Sequence, residues 1–140
     1  MRMLILVLVF MFSVPFIVHS QIVNTKEVYT YQALSYDLSE LKKSYPDLIT
    51  YQSLTTTPYG RRVWAVKLGH GETSILINGA HHAREWMTSS LLMKMIETYA
   101  EAYKTNQPVK NFDPSILNHV SIWFVPMVNP DGVTLQQLGL

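Results

Sequence analysis

The spacing of apolar residues changes several times along the chain, and these changes predict its elements. After residue 30, four apolar residues recur at spacings of four, three and four: Leu34, Leu38, Leu41 and Tyr45. This is the pattern of one helix face. Thr30 has the side chain of a helix cap and Pro46 cannot continue a helix, so we predict a helix from Tyr31 to about Tyr45. Four charged residues fall off the stripe and should be solvated: Asp37, Glu40, Lys42 and Lys43.

Two runs rich in β-branched and aromatic residues follow, and together they predict a hairpin. The first is Leu48–Thr55 and the second is Arg62–Leu68. Between them, Thr57-Pro58-Tyr59-Gly60 is a turn sequence, because proline presets one turn position and glycine tolerates a positive φ. We therefore expect the second strand to run antiparallel to the first.

Two short, continuous apolar runs, Thr73–Asn78 and Val120–Val125, predict strands that are covered on both faces. A helix with the apolar positions Leu91, Leu92, Met95, Ile96 and Tyr99 is predicted between them, from Arg84 or Trp86 to Tyr103. Its outer side should carry Lys94, Glu97 and Glu101. Asn129-Pro130-Asp131-Gly132 follows the last strand as a predicted turn. Strands that alternate with helices predict an α/β fold.

The amino terminus has the pattern of a secretory signal. A positive charge at Arg2 precedes the apolar run Leu4–Val18, and Val18-His19-Ser20 suits a signal peptidase, so we predict cleavage after Ser20. Retention as a membrane anchor is the alternative, but the run is short for a membrane span. The mature protein, residues 21–140, is therefore expected to be secreted, without stable membrane insertion.

Composition narrows the chemistry. The chain has 140 residues, a formal net charge of +1 and no cysteine. Without clustered Lys and Arg among aromatic residues, nucleic-acid binding is not expected. Without cysteine, a metal site has to use His, Asp or Glu ligands.

Two candidate metal ligands lie in the loop predicted after the strand Thr73–Asn78. His82 and Glu85 form an H-x-x-E pair that can close on one cation such as zinc if the backbone turns, and Arg84 lies inside it. The pair alone is a weak signal, because a surface hydrogen bond or a helix salt bridge also explains it. Its place before a helix and at the carboxyl end of a strand suits a site. Asp131 is interpreted as a turn former and His70 as a surface residue.

Several motifs in the same order resemble the zinc metallocarboxypeptidase family, the carboxypeptidase A-like peptidases. They are Asn78-Gly79-Ala80-His81-His82-Ala83-Arg84-Glu85-Trp86, the helix after it, Phe124-Val125-Pro126 and Asn129-Pro130-Asp131-Gly132. The likeness covers essentially the whole mature chain. It implies an amino-terminal part of a three-layer, mixed-sheet catalytic domain.

The resemblance also implies roles for individual residues. His82 and Glu85 would be two zinc ligands, and Arg84 would polarise the scissile carbonyl or stabilise the oxyanion. His81 would be a loop residue or a partner of the ligands, and His119 lies at the wrong end of its strand to be a ligand. The third ligand, the carboxylate-binding pair and the general base of the family would all lie beyond Leu140. Residues 21–140 would then be inactive alone.

The function implied is zinc-dependent removal of C-terminal residues from peptides. Met87, Thr88 and the run Met127–Val133 are also similar to the bacterial cell-wall branch, which would act on γ-D-glutamyl-diamino acid bonds of peptidoglycan stem peptides. A non-catalytic exported binding protein of the same fold is a further alternative, and a membrane-anchored structural protein is another.

Overall fold

The computed structural model describes residues 21–139 as three α-helices, one 3-10 helix and four strands. The helices are α1 (Tyr31–Ser44), α2 (Trp86–Thr105) and α3 (Pro130–Gln137), with a 3-10 helix at Pro114–Asn118. The strands are β1 (Ile49–Thr56), β2 (Arg62–Leu68), β3 (Thr73–Asn78) and β4 (Val120–Val125). The predicted signal segment lies outside the described residues. Among the described residues, no helix is both long and apolar enough to cross a membrane.

The four strands form one mixed sheet in the order β1-β2-β4-β3. β1 and β2 are the predicted antiparallel hairpin, and β2 also pairs antiparallel with β4. β3 pairs parallel with β4, with Thr73 opposite Val120 and Asn78 opposite Val125. The predicted α/β class with a mixed sheet is confirmed. The carboxyl ends of β3 and β4 consequently lie side by side.

The main core lies between the helices and one face of the sheet. The Thr30 hydroxyl accepts a hydrogen bond from Ala33 N at 3.1 Å and caps α1 as predicted. Buried residues of all three α-helices meet buried strand residues in a single cluster, which includes Leu38, Ile96 and Val133 from the helices and Val66 and Phe124 from the strands.

The prediction that β3 is covered on both faces is wrong. Ile75 is 50% exposed and Leu76 is 64% exposed, although they lie on opposite faces of the strand. β3 is an edge strand of the described sheet and pairs there with β4 alone. A continuous apolar run therefore indicated a strand, but the neighbours that would bury both faces are not among the described residues.

Two acidic residues that were expected to be solvated are buried. Asp37 on α1 accepts a hydrogen bond from the Tyr29 hydroxyl at 2.7 Å. Glu97 on α2 accepts from the backbone of Ile22 at 2.6 Å and from Lys94 Nζ at 2.6 Å. Asp37 lies beside the apolar stripe of α1, whereas Glu97 is buried because the covered face of α2 carries Met93 and Ala100 while Leu91 is 58% exposed. The segment 22–29 folds over both carboxylates and supplies polar partners.

The predicted turn at Asn129-Pro130-Asp131-Gly132 is the start of α3. Asn129 is the N-cap, its Oδ1 accepts from Gly132 N at 2.9 Å, and Pro130 occupies the first helical turn. The turn interpretation is wrong because Asn, Pro and Asp favour helix starts as strongly as they favour turns. The helix places its amino end beside the loop that leaves β3.

Candidate metal centre

The loop between β3 and α2 is fastened to the chain that leaves β4. Gly79 N donates to Val125 O at 3.1 Å, and Gly79 O accepts from Val128 N at 3.0 Å. Ala80 O accepts from Asn129 N at 3.0 Å. These bonds continue the pairing of the parallel strands past their ends. The loop therefore starts from a defined position at the carboxyl edge of the sheet, where α/β proteins bind ligands.

A sharp bend at Ala80 turns the loop toward the start of α2. Ala80 has φ +52° and is buried, a backbone conformation that costs a non-glycine residue of the order of 1–3 kcal/mol. The Thr88 hydroxyl holds this bend, because it accepts from Ala80 N at 2.7 Å and donates to Glu85 O at 2.7 Å. A Cβ on Gly79 would lie 2.8 Å from the Thr88 hydroxyl oxygen, so glycine permits the close approach.

His82 and Glu85 are brought together as predicted from their spacing. His82 Nδ1 lies 2.6 Å from Glu85 Oε1, and His82 N donates to Glu85 Oε2 at 3.1 Å. Their side chains are 82% and 44% exposed. The hydrogen bond from the His82 ring, followed by the bond from its backbone N–H, lowers the pKa of Glu85. At neutral pH this side chain is a carboxylate that faces an imidazole at the surface.

The two side chains fit a zinc ion by their donor chemistry. Imidazole nitrogen and carboxylate oxygen are both ordinary zinc ligands, and here they converge from one short loop that three strand-end hydrogen bonds position. A catalytic zinc ordinarily holds three protein ligands. In residues 21–139, no group of three or more His, Asp or Glu side chains is arranged to hold a metal. The described residues therefore offer two candidate ligands, His82 and Glu85.

Arg84 is exposed and lies between His82 and Glu85 in the sequence. Within the described part of the chain, no residue forms a hydrogen bond or an ion pair with its guanidinium. A cation without such a partner beside the ligand pair is available to an anionic group that approaches from solvent.

The other histidines among residues 21–139 lie where the sequence placed them. The His81 ring contacts Asn78 Oδ1 at 2.8 Å and is exposed, so it is a loop residue. His119 precedes β4 and is exposed at the amino end of that strand, the end opposite to the loop. His70 is also exposed, and its ring centroid lies 5.9 Å from that of Tyr103.

Asp131, in the first turn of α3, binds the turn of the β1–β2 hairpin. Its Oδ1 accepts from Thr57 Oγ1 at 2.9 Å and from Arg61 at 2.8 Å, and its Oδ2 accepts from Tyr59 N at 3.3 Å. Burial alone would raise the pKa of Asp131, but the hydrogen bonds from Arg61, Thr57 and Tyr59 outweigh it and lower the pKa. The carboxylate thus ties the hairpin turn to the first turn of α3.

Two residues that position the loop were not singled out from the sequence as part of the site. Thr88 bridges Ala80 and Glu85, and the Asn129 side chain donates from Nδ2 to His81 O at 3.1 Å. The helix-start pattern of Asn129-Pro130 was a signal for a cap. Its proximity to His81 could not be read from the sequence, because 48 residues separate the two.

The sequence profile of the zinc carboxypeptidase family matches residues 35–138. The similar proteins include two that are 31% identical to this chain. One is a zinc carboxypeptidase of Saccharothrix mutabilis subsp. capreolus, aligned over 75% of this chain and 25% of its own length. The other is gamma-D-glutamyl-L-diamino acid endopeptidase 1 of Lysinibacillus sphaericus, aligned over 82% of this chain and 29% of its own.

The fold is also similar to a solved structure, that of bovine thrombin-activatable fibrinolysis inhibitor in complex with tick carboxypeptidase inhibitor. The TM-score is 0.68 at 17% identity, with 81% of this chain and 35% of that chain covered. At this identity the likeness concerns the fold alone. The chain spans under a third of the length of the two curated relatives above.

Proposed function

This chain belongs to the zinc carboxypeptidase family, and from that premise we propose that it contributes zinc ligands to a peptidase that removes C-terminal residues from peptides. The observation that carries the proposal is the contact between His82 Nδ1 and Glu85 Oε1, which lies inside the matched residues 35–138. His82 and Glu85 would hold the ion. A bound zinc would supply Lewis acidity and a water of lowered pKa.

Arg84 has a separate role in this proposal. Its guanidinium lies between the ligands in sequence, is exposed and has no partner among the described residues. It would meet negative charge on the substrate or on the oxyanion, since a fixed cation is most effective where charge develops. Arg84→Lys would keep the charge but lose the planar fork, and in the full-length protein we expect weaker catalysis with unchanged zinc binding.

The remaining chemistry is proposed to come from outside these 140 residues. The described chain holds no three-residue metal group, and it aligns with 25–29% of the length of the two relatives. The third ligand, the general base and the groups that bind a terminal carboxylate would then belong to the part of the relatives that this chain does not match. We expect negligible peptidase turnover by residues 21–140 alone.

A zinc titration of the chain tests the ligand assignment. We expect Zn²⁺ binding to shift the imidazole NMR signals of His82. Both His82→Ala and Glu85→Gln should abolish zinc binding. His119→Ala and His70→Ala remove exposed histidines elsewhere and should leave it unchanged. Equal loss in the control variants would mean that any surface histidine binds the ion, and the assignment would fail. Robust zinc-dependent peptide hydrolysis by residues 21–140 would refute the proposal that the remaining site residues come from outside this chain.

A cell-wall peptidase is the second candidate, and its support is the 31% identity over 121 residues to the Lysinibacillus sphaericus endopeptidase. Its substrates would be peptidoglycan stem peptides with γ-D-glutamyl-diamino acid bonds. Assays of the full-length protein on stem peptides and on ordinary peptides with a free C-terminus separate the two candidates. Absence of turnover on both, with zinc bound, would instead favour a non-catalytic exported binding protein.

Secretion is part of the proposal and rests on the pattern of residues 1–20. Amino-terminal sequencing of protein recovered from culture medium should begin at Gln21. A mature protein that still begins at Met1 would favour the membrane-anchored alternative.

A further inference from the structure

The side chain of Asn129 makes two directional hydrogen bonds that join different parts of the molecule. Its Oδ1 accepts from Gly132 N at 2.9 Å, which caps α3. Its Nδ2 donates to His81 O at 3.1 Å, in the loop that carries the ligand pair. Since His81 O belongs to the peptide unit that leads into His82, this bond holds the backbone immediately before the first ligand.

The orientation of the Asn129 amide follows from its partners. Rotating the amide by half a turn would direct its NH₂ group at Gly132 N–H and its oxygen at His81 O, so that both bonds would become repulsive. One orientation therefore satisfies both neighbours. The same residue adds a backbone bond, because Asn129 N donates to Ala80 O at 3.0 Å. The loop is held at two successive carbonyls by a single residue.

Gly132 makes room for this arrangement. A Cβ at Gly132 would lie 2.6 Å from Asn129 Nδ2 and 2.9 Å from its Oδ1. Both distances are shorter than any ordinary contact, so a side chain here would displace the amide. The absence of a side chain at position 132 thus leaves free the space that the Asn129 amide occupies.

Packing does little to orient His82, whose side chain is 82% exposed. Its direction must come from the backbone that precedes it and from the contact with Glu85. The backbone at this point is bent at Ala80, with φ +52°, and the bend is held by the Thr88 hydroxyl on one side. The Asn129 amide binds the carbonyl of the following residue, His81, which is closer to the His82 imidazole.

We infer that Asn129 is a positioning residue for the metal pair: its amide fixes the peptide before His82 and so orients the imidazole toward the ion shared with Glu85. The inference rests on the proposed function, because the ion is the one proposed there. The competing explanation is that Asn129 merely caps α3 and that its contact with His81 O is incidental.

Two substitutions separate these explanations. Asn129→Ser keeps a good helix cap, but its hydroxyl is too short to bridge Gly132 N and His81 O. Gly132→Ala leaves Asn129 in the sequence and replaces glycine by a better helix former, yet its methyl group pushes the amide out of place. Both variants should fold, since Asn129→Ser keeps a cap for α3 and the better helix propensity of alanine in Gly132→Ala offsets the displaced Asn129 cap. Thr30→Ala is the control, because it removes the cap of α1, which is not in the metal loop.

The first readout is the affinity for Zn²⁺, measured by titration together with urea unfolding of each variant. Loss of a group that orients a ligand typically weakens metal binding by 10-fold to 100-fold. We expect about tenfold weaker binding in Asn129→Ser and Gly132→Ala, without a matching loss of stability. Thr30→Ala should lower stability and leave zinc affinity unchanged. If the two site variants bind zinc as wild type does, the inference is wrong.

A second readout needs no metal. Hydrogen exchange at the His82 amide and the NMR contact between the His82 ring and the Glu85 side chain report loop order in the metal-free chain. Faster exchange and a weaker contact in both variants would support positioning, and unchanged values would overturn it. If wild type binds no zinc at His82 while these metal-free signals change in the variants, the proposed function fails but the positioning role of Asn129 stands.

Discussion

The two faces of the sheet differ in what covers them. On one face, buried residues of β1, β2 and β4, among them Ile49, Val66 and Phe124, pack with buried residues of all three α-helices. On the other face, a small cluster of Val63, Ala65 and Val125 is shielded by Trp123 and Val128, and no helix residue of the described chain joins it. The helices lie on a single side.

The uncovered face carries an open apolar groove of about 370 Å³, whose lining includes Leu54, Leu76 and Trp123. Exposed apolar surfaces mark contacts with other polypeptide segments, with membranes or with ligands. This agrees with the proposal that other parts of a peptidase domain complete the site. The difference between the faces teaches that the helix-covered face is organised by contacts among the described residues, whereas the other face leaves apolar surface exposed.

The largest effect is expected from a cavity on the covered face. Phe124 is fully buried there, opposite Val66. Phe124→Ala should lower the free energy of unfolding by about 3–5 kcal/mol, because it removes the transfer energy of the ring and leaves a cavity. Urea denaturation measures the loss. A cost below 1 kcal/mol would show that this face is not the stabilising one.

A smaller loss is expected at Glu97, also on the covered side. Glu97→Ala leaves the backbone N–H of Ile22 and the ammonium of Lys94 without their carboxylate, which should cost about 2–3 kcal/mol. Glu40→Ala is the matched control, because Glu40 forms an equally spaced pair with exposed Lys43 at 2.7 Å. The control should change stability by less than about 0.5 kcal/mol. If Glu97→Ala and Glu40→Ala lose equal stability in urea denaturation, the buried Glu97 carboxylate does not stabilise the fold as described.

Lowering the pH from 7 should relieve a cost in folding free energy that the ionised Asp37 carboxylate imposes. Burial raises the pKa of Asp37, the hydrogen bond from Tyr29 lowers it, and the charge of Glu97 raises it, for a net increase. Since the folded pKa lies above the unfolded value, the ionised form costs stability at neutral pH, and the cost is relieved as the pH falls through the folded pKa toward the unfolded one.

Asp37→Asn keeps an acceptor for the Tyr29 hydroxyl and removes the titration. At pH 7 it should change the free energy of unfolding by about 1 kcal/mol or less. From pH 7 to about pH 4, wild type should gain stability relative to the variant. Parallel pH profiles from thermal or urea unfolding would show that Asp37 does not titrate differently in the fold.

The smallest effect on stability is expected on the open face. Leu76 is 64% exposed, so Leu76→Thr should change the free energy of unfolding by about 0.5 kcal/mol or less. The same substitution should reduce self-association of the isolated chain, since it makes the apolar groove more polar. Sedimentation velocity measures this. A large destabilisation would mean that Leu76 is part of a core and that the two faces are not as different as described.

The sequence by itself determined the order and kind of the elements and the position of the candidate ligand pair. Apolar spacing placed α1 and α2, β-branched runs placed the strands, and the H-x-x-E spacing brought His82 and Glu85 together. These features are local, because a helix, a hairpin or a pair three residues apart is decided by neighbouring residues. The chain's membership of a peptidase family was likewise visible in ordered motifs.

Only the tertiary structure decided which polar groups are buried and what holds the ligand loop. Asp37 and Glu97 fall outside the apolar positions that the sequence marks as core, but the segment 22–29 folds over them and supplies donors. Asn129 reaches His81 across 48 residues because parallel pairing brings the ends of β3 and β4 together. A contact of this range depends on strand order, and local periodicity carries no information about which strands become neighbours.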